Sequence, residues 1–218
     1  MAPHRLRARR ALKSAVFVAA LVPLALLVYG ALNDALGANP VEAITHRTGE
    51  WALRLLLITL AVTPLRRLLG WSWALSVRRM LGLFAFFYAG LHLLTYLWLD
   101  QFFDWPAIGH DVVKRPFITV GMLAFALLVP LAATSTNAMM RRLGRNWKRL
   151  HRLAYVIPAL GVLHYYWLVK ADVRAPLAYG AVLAMLLGLR LWWRYRSRVS
   201  GRPAAVGARV VMPAARRG

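Results

Sequence analysis

The sequence predicts an all-α membrane protein, built as a bundle of six transmembrane helices. Of its 218 residues, 60% are apolar and nine are tryptophan, a composition that a water-soluble domain of this size does not usually have. The apolar residues form continuous runs and do not alternate with polar ones, so the spanning elements are helices and not barrel strands. The charged residues lie mostly between these runs and are distributed unevenly.

Six runs are long enough to be considered as spans, since a hydrocarbon core about 30 Å thick requires roughly 20 apolar residues in a helix. Arg54 and Arg190 interrupt the second and sixth runs, but each lies close enough to a helix end to reach the interface. The first run follows basic residues as a secretory signal would, yet it is longer than the apolar part of a signal, and we expect it to be retained. The six runs are Ala15–Leu32, Gly49–Leu65, Met80–Leu99, Pro116–Ala133, Leu150–Val169 and Ala175–Trp193.

The distribution of charge predicts the orientation of the chain. Basic residues concentrate before the first span, between spans two and three, between spans four and five, and after the sixth, whereas all seven acidic residues lie on the opposite side. By the positive-inside rule both termini are cytoplasmic. The domains are then a basic N-terminal segment (1–14), the membrane domain (15–193) and a basic tail (194–218) that we expect to be disordered. The net charge of +22 orients the protein and binds anionic lipid, and does not indicate nucleic-acid binding.

Several kinds of site are excluded or left open by composition and motif. The absence of cysteine excludes disulfides, thiolate-bound iron–sulfur clusters and covalently attached haem. No nicotinamide fingerprint, P-loop or internal repeat is evident. Two outward links are long, Asn33–Thr48 and Asp100–Arg115. The second is rich in aromatic residues and is either a surface for a partner or an aromatic belt at the lipid interface.

Three histidines lie in predicted membrane segments, where an ionisable group is costly unless it is paired or ligated. His92 is twelve residues beyond the start of span three, and His164 is eleven beyond Leu153 in span five. The two spans run in the same direction, so both histidines should lie at a similar depth in the outward half. Two imidazoles at one depth on neighbouring helices can bind a tetrapyrrole through its iron. We therefore predict His92 and His164 as the axial ligands of a non-covalent haem.

His151 lies about 20 Å from His164 along an ideal helix, towards the cytoplasmic face. Thirteen residues rotate a side chain by roughly 220°, a mismatch that a kink at Pro158 could ease. At the matching depth, span three has Arg78 and Arg79 and no histidine. His151 is therefore a candidate metal ligand for a second haem, whose propionates the two arginines would suit. The alternatives are a contact of His151 with a lipid headgroup or with the backbone, and a role of the arginines as topology anchors.

Two segments of the sequence resemble a known family. RRMLGLFAFFYAGLHLLTYLWLD (78–100) and NWKRLHRLAYVIPALGVLHYYWLV (146–169) are similar to the ferric-reductase-like transmembrane domain, and more closely to the MsrQ (YedZ) family. The resemblance covers roughly residues 40–193. It implies one or two b-type haems, flavin mononucleotide (FMN) as a further cofactor, and residence in the bacterial inner membrane. It also implies electrons delivered by membrane quinol or a cytoplasmic flavin reductase, and an MsrP-type periplasmic molybdopterin reductase as the partner that receives them.

The function predicted from these observations is transmembrane electron transfer in the repair of oxidised methionine. The chain contains no hydrolase signature or catalytic carboxylate pair, so substrate chemistry would belong to a partner. One alternative is a stand-alone reductase of ferric ion or quinone. Another, of a different class, is a proton channel or transporter in which the histidines relay protons.

Overall fold

The computed structural model describes residues 3–200, and within that range the chain is helical with no strand. The all-α prediction is thus confirmed. A 3-10 turn, Ser72–Ala74, precedes α3, and a π-helix, Thr95–Asp100, continues it. The helices are α1 (Pro3–Leu32), α2 (Pro40–Leu69), α3 (Leu75–Leu94), α4 (Trp105–Lys114), α5 (Pro116–Ala133), α6 (Asn137–Leu143), α7 (Arg145–Leu150), α8 (Leu153–Leu168) and α9 (Arg174–Ser200).

Four helices among the described residues are long and apolar enough to cross a membrane. They are Arg10–Leu32, Leu75–Asp100, Pro116–Ala133 and Arg174–Arg196. These correspond to the first, third, fourth and sixth predicted spans. The second and fifth predicted spans correspond to α2 and α8, which are not in this group; α8 has 16 residues. The count of six spans therefore stays a prediction.

The terminal helices extend beyond the predicted spans. The first helix begins at Pro3, so most of the segment 1–14 is helical, and α9 continues to Ser200, which includes residues 194–200 of the predicted tail. The spans were bounded by apolar residues alone, whereas arginine and lysine are good helix formers and continue a helix past the hydrocarbon. The rest of the predicted tail, residues 201–218, lies outside the described residues.

Both long links are partly helical, because each contains a helix start signal. The Asn39 side chain accepts from the Glu42 N–H at 3.2 Å, and Pro40 follows it, so α2 begins nine residues before the predicted span. In the second link, Asp104 accepts from the Ala107 N–H at 3.1 Å and starts α4. A polar N-cap followed by proline is a favourable start for a helix.

The second helix lies at the centre of the bundle. It contributes to one buried apolar cluster with α1 and α3 and to another with α8 and α9. A third cluster lies mainly between α5 and α8. The N-terminal half of α2 lies beside the C-terminal half of α3, and the N-terminal half of α5 lies beside the C-terminal half of α8. These two antiparallel pairs carry the site described next.

Candidate functional site

His92 and His164 face each other inside the bundle. His92 is near the end of α3 and His164 near the end of α8, and their ring centroids are 5.9 Å apart with an interplanar angle of 80°. Both side chains are half-buried. The structure thus brings together the two histidines that were predicted to share one level.

A backbone carbonyl fixes each ring. His92 Nδ1 lies 2.9 Å from the Thr45 carbonyl oxygen of α2, and His164 Nδ1 lies 2.7 Å from the Phe117 carbonyl oxygen of α5. A carbonyl can only accept a hydrogen bond, so Nδ1 carries the proton and donates in both rings. The unprotonated nitrogen is then Nε2, which is the form that binds a metal while the other nitrogen is held by an outer partner.

A glycine permits each of these contacts. Gly49 and Gly121 lie one turn after the residues whose carbonyls are used, directly against the two rings. A Cβ on Gly49 would lie 3.0 Å from Nδ1 of His92, and a Cβ on Gly121 would lie 2.8 Å from Nδ1 of His164. Neither glycine was predicted as a site residue. The signal in the sequence is a glycine four residues after the residue whose carbonyl accepts the hydrogen bond, and it is weak because glycine is common in membrane helices.

The two histidines line a cavity of about 620 Å³, a volume within the usual range for ligand sites. Its walls are largely apolar and come from α2, α3, α5 and α8, while the polar lining residues include Glu42, His46, Glu50, Tyr96, Asp100 and Arg115. The apolar wall residues include Leu53, Leu56, Ala89, Phe125, Leu128 and Ile157.

The residues present fit a tetrapyrrole and do not fit a bare metal ion. No three histidine, cysteine, aspartate or glutamate side chains converge anywhere in residues 3–200 to hold an ion. A tetrapyrrole supplies four nitrogens itself and needs two more ligands. With metal–nitrogen bonds of about 2 Å, two imidazoles on opposite sides of one iron have centres about 6 Å apart. The observed separation of 5.9 Å agrees with that requirement.

His151 lies apart from this cavity. It sits in the turn between α7 and α8 and not on the helix of His164, so the rotation expected of an ideal helix does not apply. Its Nε2 lies 3.1 Å from Thr134 Oγ1, and its ring stacks on Trp147 at 4.0 Å. The Thr134 hydroxyl donates to the Pro130 carbonyl, so it accepts from His151 Nε2.

The two arginines predicted beside His151 have different surroundings. Arg78 is near enough to influence His151 and Arg190 electrostatically. Arg79 donates to the Asn137 side chain and contacts the sulfur of Met140 on α6. No described residue opposite His151 offers a second nitrogen ligand of the kind that His92 offers His164. The role of His151, Arg78 and Arg79 in cofactor binding stays a prediction.

A polar network that the sequence did not reveal lies on the wall of the cavity. Glu50, next to Gly49, forms an ion pair with Arg54 at 2.6 Å and lies 3.5 Å from the Tyr165 hydroxyl. Arg54 also donates to the Tyr179 hydroxyl at 2.8 Å. Arg54 was expected to reach the interface; the structure pairs it with a carboxylate one turn away. The pair links α2 to α8 and α9 beside the two histidines.

The comparison with protein families identifies the class. The family described as "Ferric reductase like transmembrane component" matches residues 48–162, a range that includes Gly49, His92, Gly121 and His151. This match, together with the bundle of apolar helices and the facing histidines, shows that the chain is a ferric-reductase-like transmembrane component. No solved structure matches the chain.

Comparison with curated relatives identifies the particular family within this class. The chain is 56% identical over 190 residues to a protein of Herminiimonas arsenicoxydans, covering 86% of this chain and 87% of that one. It is 58% identical over 194 residues to a protein of Xanthomonas campestris pv. campestris (strain 8004), with 86% and 89% covered. A protein of Rhodospirillum rubrum is 58% identical over 191 residues, with 86% and 91% covered. Each is named "Protein-methionine-sulfoxide reductase heme-binding subunit MsrQ", and the chain belongs to the MsrQ family.

Proposed function

We propose that the protein is the electron-transfer subunit of a protein-methionine-sulfoxide reductase system and binds b-type haem between His92 and His164. One observation carries this proposal: two imidazoles, each held through Nδ1 by a helix carbonyl, face each other at 5.9 Å across an apolar cavity. The relatives, named as haem-binding subunits of such a system, support the same assignment.

The residues of the chain hold and shield the cofactor. His92 and His164 would hold the iron through Nε2, and the carbonyls of Thr45 and Phe117 fix the ring planes. When bound, haem b supplies one-electron redox chemistry. The apolar walls exclude water and favour a low-dielectric environment, which together with the axial ligands sets the reduction potential.

The finer parts of the proposal concern location and partners. We place the protein in the bacterial inner membrane, with six spans and both termini cytoplasmic, because the basic links alternate with the acidic ones along the chain. Electrons arrive from membrane quinol or a cytoplasmic flavin reductase, and an MsrP-type periplasmic molybdopterin reductase receives them. FMN is a further cofactor by family resemblance. His151, with Arg78 and Arg79, is proposed as the site of a second haem.

A difference spectrum of the purified protein tests the cofactor. We expect a reduced-minus-oxidised spectrum of low-spin b-type haem that His92→Ala and His164→Ala each abolish, whereas His151→Ala removes at most a second component. A colourless protein would favour the proton channel or transporter. Equal loss from all three substitutions would contradict the assignment of the axial pair.

Reoxidation kinetics test the partner. The membrane-bound protein is reduced and mixed with an MsrP-type reductase and a protein that contains methionine sulfoxide. Reoxidation that requires both additions supports the proposed system. Reoxidation by ferric ion or quinone alone, at a comparable rate, would favour the stand-alone reductase.

A further inference from the structure

One arginine lies at the edge of the histidine cavity. Arg115 lies between α4 and α5, and its side chain is 55% exposed. It also lines the cavity that contains His92 and His164, where it is the one arginine or lysine among the lining residues in the described part of the chain. A side chain that is both exposed and part of the wall marks the mouth of the cavity. The deeper walls carry no cation.

A buried carboxylate holds this arginine in place. Arg115 Nε lies 3.1 Å from Asp111 Oδ1, and the Tyr96 hydroxyl lies 3.3 Å from Asp111 Oδ2. Asp111 is 7% exposed, and burying a carboxylate is costly unless it is paired. The backbone N–H of Arg115 also donates to the Asp111 carbonyl at 2.8 Å. Asp111 thus fixes both the backbone and the side chain of Arg115. The ion pair with Arg115 and the Tyr96 hydroxyl compensate the cost of burying the Asp111 carboxylate.

The terminal nitrogens of Arg115 are available for a ligand. Among residues 3–200, Asp111 is the ion-pair partner of its guanidinium, through Nε, and neither Nη atom donates a hydrogen bond. The acidic side chains that line the same cavity have other partners. Glu42 accepts from Asn39 at 3.0 Å, and Asp100 accepts from Gln101 at 3.1 Å. Glu50 forms its ion pair with Arg54 at 2.6 Å. A guanidinium with two free N–H groups on one edge matches the two oxygens of a carboxylate.

We propose that Arg115, held by Asp111 and Tyr96, binds a carboxylate of the tetrapyrrole in this cavity and so fixes which edge of the ring faces the mouth. The inference rests on the proposed function. Haem b carries two propionates, and an ionised carboxylate in the apolar walls would be strongly unfavourable. The propionate edge therefore lies at the mouth, beside the link that holds α4, and the edge without charge lies against the apolar residues. The two axial histidines alone would not distinguish this orientation from the one with the propionate edge turned inward.

Titration with haemin and with its dimethyl ester tests the assignment. The full-length protein is produced without haem in detergent and titrated with each compound, for wild type, Arg115→Leu and Arg115→Lys. Because charge-assisted hydrogen bonds are the strong ones, we expect Arg115→Leu to weaken haemin binding about tenfold to a hundredfold and to leave ester binding unchanged. Arg115→Lys should restore part of the loss. Wild type should bind the ester more weakly than haemin by a similar factor.

Controls separate this inference from the proposed function. Arg174→Leu removes an exposed arginine that pairs with Asp172 at 2.8 Å and does not line the cavity, so haemin affinity should not change. Equal weakening of haemin and ester by Arg115→Leu, or no weakening of either, would overturn the role of Arg115. Equal affinity of wild type for haemin and ester would overturn it without any variant. A wild type that binds neither compound would instead overturn the proposed haem site.

Discussion

At the scale of single residues, the site depends on two positions that carry no side chain. Gly49 and Gly121 leave room for the imidazoles of His92 and His164 to contact backbone carbonyls of the neighbouring helices α2 and α5. These contacts fix the protonated nitrogen and the plane of each ring. The ligand geometry is therefore set by the surface of the neighbouring helix as much as by the histidines.

Gly49→Ala and Gly121→Ala should each weaken haem binding by about tenfold or more. A methyl group 2.8–3.0 Å from the ring forces the imidazole away from its carbonyl, which costs a strained rotamer and a hydrogen bond. Haem content and the low-spin spectrum of purified protein measure the effect. Gly90→Ala and Gly188→Ala are controls, since nothing lies within 4 Å of a Cβ at either position. Unchanged spectra in both site variants would show that the rings do not depend on these contacts.

The common level of the two histidines could be predicted from the sequence, and the residues that their rings contact could not. The rise of a helix is fixed, so counting residues from the span starts gave His92 and His164 a common level. The carbonyl that each ring contacts depends on the rotation of one helix against another, which no count along a single helix provides. Arg115 has the same difficulty: it reads as part of a polar link, and only the folding of that link into α4 brings it to the cavity.

At the scale of elements, a tyrosine joins α1 to the rest of the bundle. The Tyr88 hydroxyl donates to the Ala20 carbonyl at 2.8 Å and accepts from the Leu24 N–H at 3.1 Å. In a regular helix these two groups would bond each other, but Pro23 lies between them and disturbs that turn. The hydroxyl thus inserts into the backbone ladder of α1. Four residues later on the same helix comes His92.

Tyr88→Phe should destabilise the docking of α1 by about 1–2 kcal/mol, since a nearly buried hydroxyl and two backbone groups lose their partners. The thermal unfolding midpoint in detergent measures this change. Tyr29→Phe is the matched control, because Tyr29 lies on α1 itself and is 67% exposed. Equal effects of the two substitutions would mean that the inserted hydroxyl contributes nothing.

A proline in α2 accounts for the position of a half-buried arginine in α9. Pro64 has no N–H to offer the Leu60 carbonyl one turn before it. The guanidinium of Arg190 donates to that carbonyl and also to the Tyr155 hydroxyl at 2.8 Å. Arg190 was expected to reach the interface; in the structure its guanidinium joins α9 to α2 and α8. Arg190, a charged residue inside a predicted span, thus supplies the hydrogen bond that the Leu60 carbonyl would otherwise lack.

Arg190→Met should destabilise the protein by about 1–3 kcal/mol in the native background, and by less when combined with Pro64→Ala. The alanine restores an N–H for the Leu60 carbonyl, so the arginine loses one of its two partners. A double-mutant cycle on thermal unfolding in detergent measures the coupling. Strictly additive effects would mean that the missing N–H of Pro64 has no connection with Arg190.

At the scale of the whole molecule, the two histidine-bearing pairs are built alike. In α2–α3 and in α5–α8, one helix supplies a carbonyl and a glycine, and its antiparallel partner supplies a histidine; in both pairs the histidine bonds a carbonyl 47 residues earlier in the chain. The sequence showed no internal repeat, because the equivalent residues differ, as Thr45 and Phe117 do. A backbone contact constrains the position of a residue and leaves its side chain free to vary.

The overall class could be predicted because hydrophobic runs determine it, but the number of spans could not be derived with the same certainty. Length and composition support α1, α3, α5 and α9 as membrane helices. The second helix has 30 residues, which is about 45 Å, and it carries the Glu50–Arg54 pair. The α8 helix has 16 residues, about 24 Å. Both pack against the other helices at the histidine site, so whether they cross decides the orientation of everything between them.

Single-cysteine labelling can decide this, since the chain has no native cysteine. Lys114, Lys148 and Lys170 are exposed and lie in three different links. With six spans and a cytoplasmic N-terminus, a membrane-impermeant maleimide added to intact spheroplasts should label Lys114→Cys and Lys170→Cys but not Lys148→Cys. If α2 and α8 do not cross, Lys114→Cys becomes protected and Lys148→Cys becomes labelled, while Lys170→Cys is labelled in both cases and serves as the positive control. That reversed pattern would also place the mouth beside Arg115 on the cytoplasmic side, and an outward exit for electrons would then be untenable.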